Sequence, residues 1–287
     1  MIGYRAVSNM IQIITDTTAV LSKEDIKKYN IIVIPQVIHI DDETYLEGIE
    51  IDVPQFLEKL KTAKNLPKTA APPPELFARE FERFTDGNVT LLCIHPSAEV
   101  SGTVRSATTA AQDFPHLDIR IIDTRLIASP LATLVVLAAQ WASEGVNADQ
   151  IVYRLTEMIP RCQVYFMVDT LEYLAKGGRI GGASALLGSV LQIKPILTFK
   201  NGRVEPFEKE RTYKRAFERM IAIAEERIEK GKESYLTIMH AGVWEQAQEL
   251  ATRLSSKLSI STIPIYEMPP AIITHGGPGI LGIAFFT

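Results

Sequence analysis

Val89-Thr90-Leu91-Leu92-Cys93-Ile94 is an almost continuous apolar run with no polar residue recurring at every second position, so a strand built from it must be covered on both faces. Runs of the same kind stand at residues 11–14, 31–34 and 119–122, and helical periodicity fills most of the sequence between them. Strands buried on both sides and alternating with helices predict a parallel sheet of the α/β class. Two helix starts are readable: Asn147 with Gln150 three residues on has the pattern of a capping box, and Ser129-Pro130 combines a cap with a first-turn proline.

The texture changes after about residue 160. An apolar run at 163–168 is followed by a glycine-rich turn, and Asn201-Gly202 between 196–199 and 203–207 predicts a tight hairpin. Phe217, Ile221, Ala224 and Ile228 share one helical face that ends at Gly231. Val243, Ala247, Leu250, Ala251, Leu254 and Leu258 share another. A mixed-sheet α/β unit is expected here. A chain of 287 residues exceeds the usual single-domain size, so the expectation is two domains, 1–160 and 161–287, with the ligand between them.

Thirty basic and thirty-four acidic residues leave a formal charge of -4 without a block of like charges, which argues against a nucleic-acid partner. The most apolar stretch, 126–142, is interrupted by Ser129-Pro130 and is shorter than the roughly 20 residues of a membrane span, so stable membrane insertion is not expected. Residues 1–10 do not resemble a secretory leader, and the nine residues before Met10 are expected to carry no function. Cys93 and Cys162 both lie in apolar runs and read as buried thiols. A cytoplasmic location fits these features.

Three segments concentrate small, hydroxyl and glycine residues. Lys68-Thr69-Ala70-Ala71-Pro72-Pro73-Pro74 leads into a helix whose Phe77, Phe81 and Phe84 share a face. Thr69 there is either a ligand donor or part of a plain proline-rich helix start. Ser97-Ala98-Glu99-Val100-Ser101-Gly102-Thr103 follows the 89–94 strand, and Ser101 is either a helix cap or a contact to an anion at a helix start. Thr274-His275-Gly276-Gly277-Pro278-Gly279 lies close to the end of the sequence. Its G-x-G-x-x-G spacing, Gly277 to Gly282, has too few residues after it for a dinucleotide-binding unit, leaving a glycine turn that holds His275 near backbone. Lys176-Gly177-Gly178-Arg179-Ile180-Gly181-Gly182 lacks the spacing of a phosphate-cradling loop. No nucleophile elbow and no convincing metal site is present, so neither a metal nor a cofactor is expected. Asp16, flanked by Thr15, Thr17 and Thr18, either orients a hydroxyl or caps a helix.

In order, Thr15-Asp16-Thr17-Thr18, Thr69-Ala70-Ala71-Pro72, Val100-Ser101-Gly102-Thr103, Val168-Asp169-Thr170-Leu171-Glu172-Tyr173-Leu174 with Gly177-Gly178-Arg179-Ile180, Ile193-Lys194-Pro195-Ile196-Leu197 and Thr274-His275-Gly276-Gly277-Pro278-Gly279 resemble the DegV family of bacterial fatty-acid-binding proteins. The resemblance runs from about Ile11 onward and implies a two-domain fold that binds a long-chain fatty acid between its domains. It further implies a carrier, not an enzyme, that presents the acyl group to a fatty acid kinase in phospholipid metabolism. Residue by residue it places the carboxylate on Thr69, Ser101 and His275, with Gly102 and Thr274 in the same motifs and Arg179 serving the head group or the kinase surface. Ala70 and Pro73 stand where the family usually has serine, and Val104 where it often has tyrosine, so the finer shape of the head-group pocket is expected to differ. The apolar stretches 126–142 and 185–197 are candidates to line an acyl tunnel. The rival from another class is a serine hydrolase acting on acyl esters or acyl phosphates, with Ser101 as nucleophile and His275 as base. It lacks an acid beside His275 and has Glu99 where an elbow needs glycine. A pure interaction module using the two helices after residue 211 is the third reading.

Overall fold

A computed structural model describes residues 10–85, 87–187, 193–229 and 233–287. The tail 1–9, the helix end expected at Gly231 and the middle of the 185–197 stretch, residues 188–192, lie outside the described residues.

Strands β1 (Met10–Asp16), β2 (Ile32–Ile34), β3 (Val37–Ile40), β4 (Glu43–Leu46), β5 (Lys68–Ala70), β6 (Val89–His95) and β7 (Asp118–Asp123) come first. Four of them form a parallel sheet in the order β2-β1-β6-β7. On one face Ile13, Leu92 and Ile94 pack with Leu131, Leu134 and Ile151 from the helices Ser129–Ser143 and Ala148–Met158. On the other, Ile14, Leu91 and Cys93 pack with Phe77, Phe81 and Ala107 from the helices Pro74–Glu82 and Thr103–Ala111. Burying both faces gives each leucine, isoleucine and phenylalanine here roughly 1.5–3 kcal/mol of transfer free energy, which is why the 89–94 run does not alternate. The helix Ser129–Ser143 has 15 residues, and among the described residues no helix is long and apolar enough to cross a membrane.

A small antiparallel sheet, β4-β3-β5, stands apart. Its last strand pairs Thr69 with Ile38, so Thr69 sits on a short strand ahead of the proline-rich helix start.

Strands β8 (Cys162–Met167), β9 (Lys194–Lys200), β10 (Arg203–Glu210), β11 (Thr237–His240), β12 (Ile265–Glu267) and β13 (Leu281–Phe286) form one mixed sheet in the order β10-β9-β8-β13-β11-β12. Among the described residues of this sheet β11 and β12 pair parallel and the other neighbours pair antiparallel. The hairpin expected at Asn201-Gly202 joins β9 to β10, and both turn residues have positive φ, 53° and 81°, as a two-residue turn matched to strand twist requires. Tyr165, Met167, Ile283 and Phe285 face the helices Tyr213–Arg227 and Trp244–Leu258. Val164, Leu197, Met239 and Ala284 face the opposite way, toward Ile38, Phe56, Leu174 and Ala271.

Two helix starts differ from the reading of the sequence. Ser129 is the first helical residue rather than the cap, which is Ala128 at φ 61°; its buried hydroxyl instead shares a 2.8 Å hydrogen bond with Thr237 Oγ1. Asn147 Oδ1 accepts from the Gln150 N–H at 2.9 Å, but the exposed Gln150 side chain makes no return bond, and the complete capping box belongs to Asp52 and Gln55.

Candidate functional site

The helix Pro270–Gly276 starts at a proline whose missing N–H costs nothing there, and it stops at Gly277, where φ is 81°. A Cβ at Gly277 would lie 2.5 Å from the Tyr173 ring, so only glycine lets the chain leave here. His275 therefore projects from the last helical turn, with the glycine turn beginning after it. Its Nε2 is 2.6 Å from Oγ1 of Thr69 on β5. Its Nδ1 is buried against Gly177 and has no hydrogen-bond partner; a Cβ at Gly177 would lie 2.5 Å from it.

Ser101 precedes the helix Thr103–Ala111. Its Oγ accepts from the Thr103 N–H at 3.3 Å and is 2.8 Å from Thr103 Oγ1, but the cap position of that helix is Gly102, so Ser101 supports the helix start from one residue earlier and is not its cap. Gly102 lets this loop close on the segment after Thr69, since a Cβ there would be 3.2 Å from the Ala71 Cβ. The half-buried Arg179 ties the loops together, donating from Nε to Val100 O at 3.1 Å and from Nη1 to Gly177 O at 2.7 Å.

Thr69, Ser101, Gly102, Arg179 and His275 border one cavity. Its remaining wall is mainly apolar, with Val164, Phe166, Phe199, Val204, Met239 and Met268 prominent. Ile127 and Ala128 join from the 126–142 stretch, while no described residue of 185–197 reaches it. Thr69, Arg179 and His275 also border an outer polar groove with Lys64, Lys68 and Lys176, which places these three at the boundary between a greasy interior and an open surface. Thr274 is not brought to the apolar cavity: it borders the outer groove, and its hydroxyl is used by Pro270 O at 2.8 Å.

Burial, and secondarily the Arg179 guanidinium, pushes the His275 imidazole down to about 4, so the ring is neutral at pH 7. Burial also lowers the Arg179 guanidinium from its ordinary value. A neutral imidazole and two hydroxyls beside one cation can receive a carboxylate by hydrogen bonding. Among the described residues, no group of three or more His, Cys, Asp or Glu could hold a metal ion.

The sequence reading missed a buried polar layer behind this wall. Asp16 does cap, accepting from the Thr18 N–H at 3.0 Å, but its carboxylate also accepts from Gln36 Nε2 at 3.0 Å and faces His95 Nδ1 at 3.0 Å. Gln36 borders the cavity and donates to Thr103 Oγ1 at 2.9 Å. Glu47, buried, accepts from the Thr17 hydroxyl and from the Ala271 N–H at 2.6 Å, at the start of the helix that bears His275. Burial raises its carboxyl to about 7. An acid at the end of an apolar strand was the available signal for Asp16; Gln36 and Glu47 gave none.

The profile of a family described as "Uncharacterised protein, DegV family" matches residues 10–287. The chain belongs to the DegV family. A DegV domain-containing protein of Halalkalibacterium halodurans is 34% identical over 277 residues, covering 96% of this chain and 98% of the relative. The protein DegV of Bacillus subtilis is 33% identical over 276 residues, covering 96% and 98%. Among solved structures, a Thermus thermophilus DegV protein titled for its fatty acid binding superposes with a TM-score of 0.91 at 31% identity, covering 97% of this chain and 99% of its own. The B. subtilis DegV, called a fatty acid binding protein, superposes at 0.88 and 33% identity, covering 97% and 100%. The DegV fold, a parallel sheet followed by a mixed sheet, is thus the fold of this chain.

Proposed function

We propose that this DegV protein binds a long-chain fatty acid, with its tail in the apolar cavity between domains 1–160 and 161–287 and its carboxylate held by Thr69, Ser101 and His275. The observation that carries the reading is the convergence of two hydroxyls and a neutral imidazole on the rim of one apolar cavity. Charge-assisted hydrogen bonds of roughly 1.5–3 kcal/mol each offset desolvation of the acid. The tail supplies the affinity, at about 0.8 kcal/mol per buried methylene. Arg179 adds a cation at the rim, and Gly102 lets the serine loop close on Ala71. The fatty acid binding of the Thermus and Bacillus relatives supports the same reading.

The protein acts as a carrier and not a catalyst. Among the described residues no hydrogen bond joins Ser101 to His275, and the imidazole has Thr69 on one side and Gly177 on the other, with no acid to orient it as a base. A carboxylate at the rim, facing the outer polar groove, is reachable while its tail stays covered, which suits presentation to a fatty acid kinase in the cytoplasm. Two cysteines outside any disulfide agree with that compartment. The test is fatty-acid binding by delipidated Thr69→Ala, Ser101→Ala and His275→Ala variants alongside their melting curves. Weakened binding in folded variants is expected, and unchanged binding in all three contradicts the assignment.

A further inference from the structure

We propose that Gln36, anchored by Asp16, is a positioning residue that fixes the direction of the Ser101 hydroxyl, so that this serine presents a proton and not a lone pair to the cavity. The inference rests on the fatty-acid reading above and adds Gln36 and Asp16, to which that reading gives no part in holding the carboxylate.

Donor and acceptor bookkeeping decides the direction. Asp16 Oδ1 accepts from the Thr18 N–H, and Gln36 Nε2 lies 3.0 Å from the same oxygen. The amide cannot be turned round, because its oxygen would then face a carboxylate oxygen. Both N–H bonds of Gln36 are therefore committed, one to Asp16 and the other to Thr103 Oγ1 at 2.9 Å. Thr103 is fully buried, so its hydroxyl, having accepted from Gln36, must place its own proton on a neighbour. Ser101 Oγ, 2.8 Å away, is that neighbour. Were Ser101 the donor instead, the Thr103 proton would be left buried without a partner.

Ser101 Oγ then accepts twice, from the Thr103 N–H and from the Thr103 O–H. Its one remaining valence is its own proton, and the side that remains is the cavity it borders. His95, with Nδ1 3.0 Å from Asp16 Oδ2, buttresses the carboxylate from behind. A serine held in this way favours an acceptor ligand, a carboxylate oxygen, and disfavours a ligand whose head group offers N–H at the same point.

Gln36→Glu reverses the chain with almost no change of shape. Glutamic acid at this position donates its proton to Asp16 and accepts from the Thr103 hydroxyl, which lets Thr103 accept from Ser101 and turns the serine lone pairs toward the cavity. Binding of stearate and of stearamide is measured for the wild type, Gln36→Glu, Ser101→Ala and the double variant. Gln36→Glu is expected to weaken stearate about tenfold while stearamide holds or improves, and to change stearate affinity no further in the Ser101→Ala background. Equal losses for acid and amide, or additive losses in the double variant, overturn the inference while leaving the site intact. Unchanged stearate binding in Ser101→Ala also overturns the inference, and it overturns the fatty-acid site itself when Thr69→Ala and His275→Ala bind unchanged as well. Should Gln36→Glu fail to melt cooperatively, Thr103→Val breaks the chain one link later without a second buried acid. It is expected to weaken stearate several-fold in the wild type and not at all beside Ser101→Ala; the same loss in both backgrounds contradicts the proposal.

Discussion

Thr69 Oγ1 and His275 Nε2 stand 2.6 Å apart although 206 positions of sequence separate them. The contact exists because β13, the last strand, inserts between β8 and β11 in the middle of the mixed sheet, which carries the preceding helix Pro270–Gly276 back against the small β4-β3-β5 sheet. Thr69→Val removes one donor and leaves the imidazole unpaired. Stearate affinity is expected to fall roughly tenfold to a hundredfold, corresponding to 1.5–3 kcal/mol, with the fold retained. Isothermal titration of delipidated protein reads this directly, and an unchanged affinity excludes Thr69 from the site.

Gly177→Ala tests the other side of the imidazole. Gly177 has φ -76°, so alanine fits its backbone, yet the added Cβ would lie 2.5 Å from His275 Nδ1 and 2.9 Å from Tyr173 O. The ring must shift, and fatty-acid affinity should drop while the far-UV spectrum stays the same. Full affinity in this variant means that the position of the imidazole is not critical.

The ligand-free protein carries two opposing pH terms. His275 is lowered from 6.5 to about 4, so between those values the unfolded chain binds more protons and stability rises with pH. Glu47 is raised from 4.5 to about 7, so across that window the folded chain binds more protons and stability falls as pH rises. Each shift corresponds to something on the order of 3 kcal/mol, and the two largely cancel between pH 4.5 and 6.5. Urea denaturation should give Glu47→Gln a steeper loss of stability on acidification than the wild type. His275→Gln should show the reverse slope, and parallel profiles for all three proteins would contradict the assigned shifts.

Gly202→Ala addresses the contact between the hairpin and the first half of the chain. Gly202 has φ 81°, its carbonyl accepts from Ser97 Oγ at 2.8 Å, and a Cβ would lie 2.3 Å from that oxygen. Strain and a displaced buried serine should cost about 1–3 kcal/mol, seen as a lower melting temperature.

The two larger sheets were legible because their signals are local. The run at 89–94 reports covering on both faces, and Asn201-Gly202 reports a turn that needs two positive φ values. The small β4-β3-β5 sheet was not legible, since its strands are three or four residues long and β5 ends among prolines. At the site, Thr69, Ser101 and His275 each stand out in their own segments, but only motif order joins them on one carboxylate, since nothing in those segments distinguishes ligand contact from a structural role. Gln36 and Glu47 were invisible for a different reason: each matters through partners far along the chain, Thr103 and Ala271, which only the fold brings near. Ser129 misled because its surroundings resemble a cap, whereas burial against Thr237 gave its hydroxyl a better partner.

The most direct measurement is the mass spectrum of lipid extracted from the purified protein, made alongside the His275→Ala and Ser101→Ala variants. The account predicts close to one long-chain fatty acid per wild-type chain and much less in the variants. A wild-type protein that carries no fatty acid, and takes none up when it is offered, would contradict it.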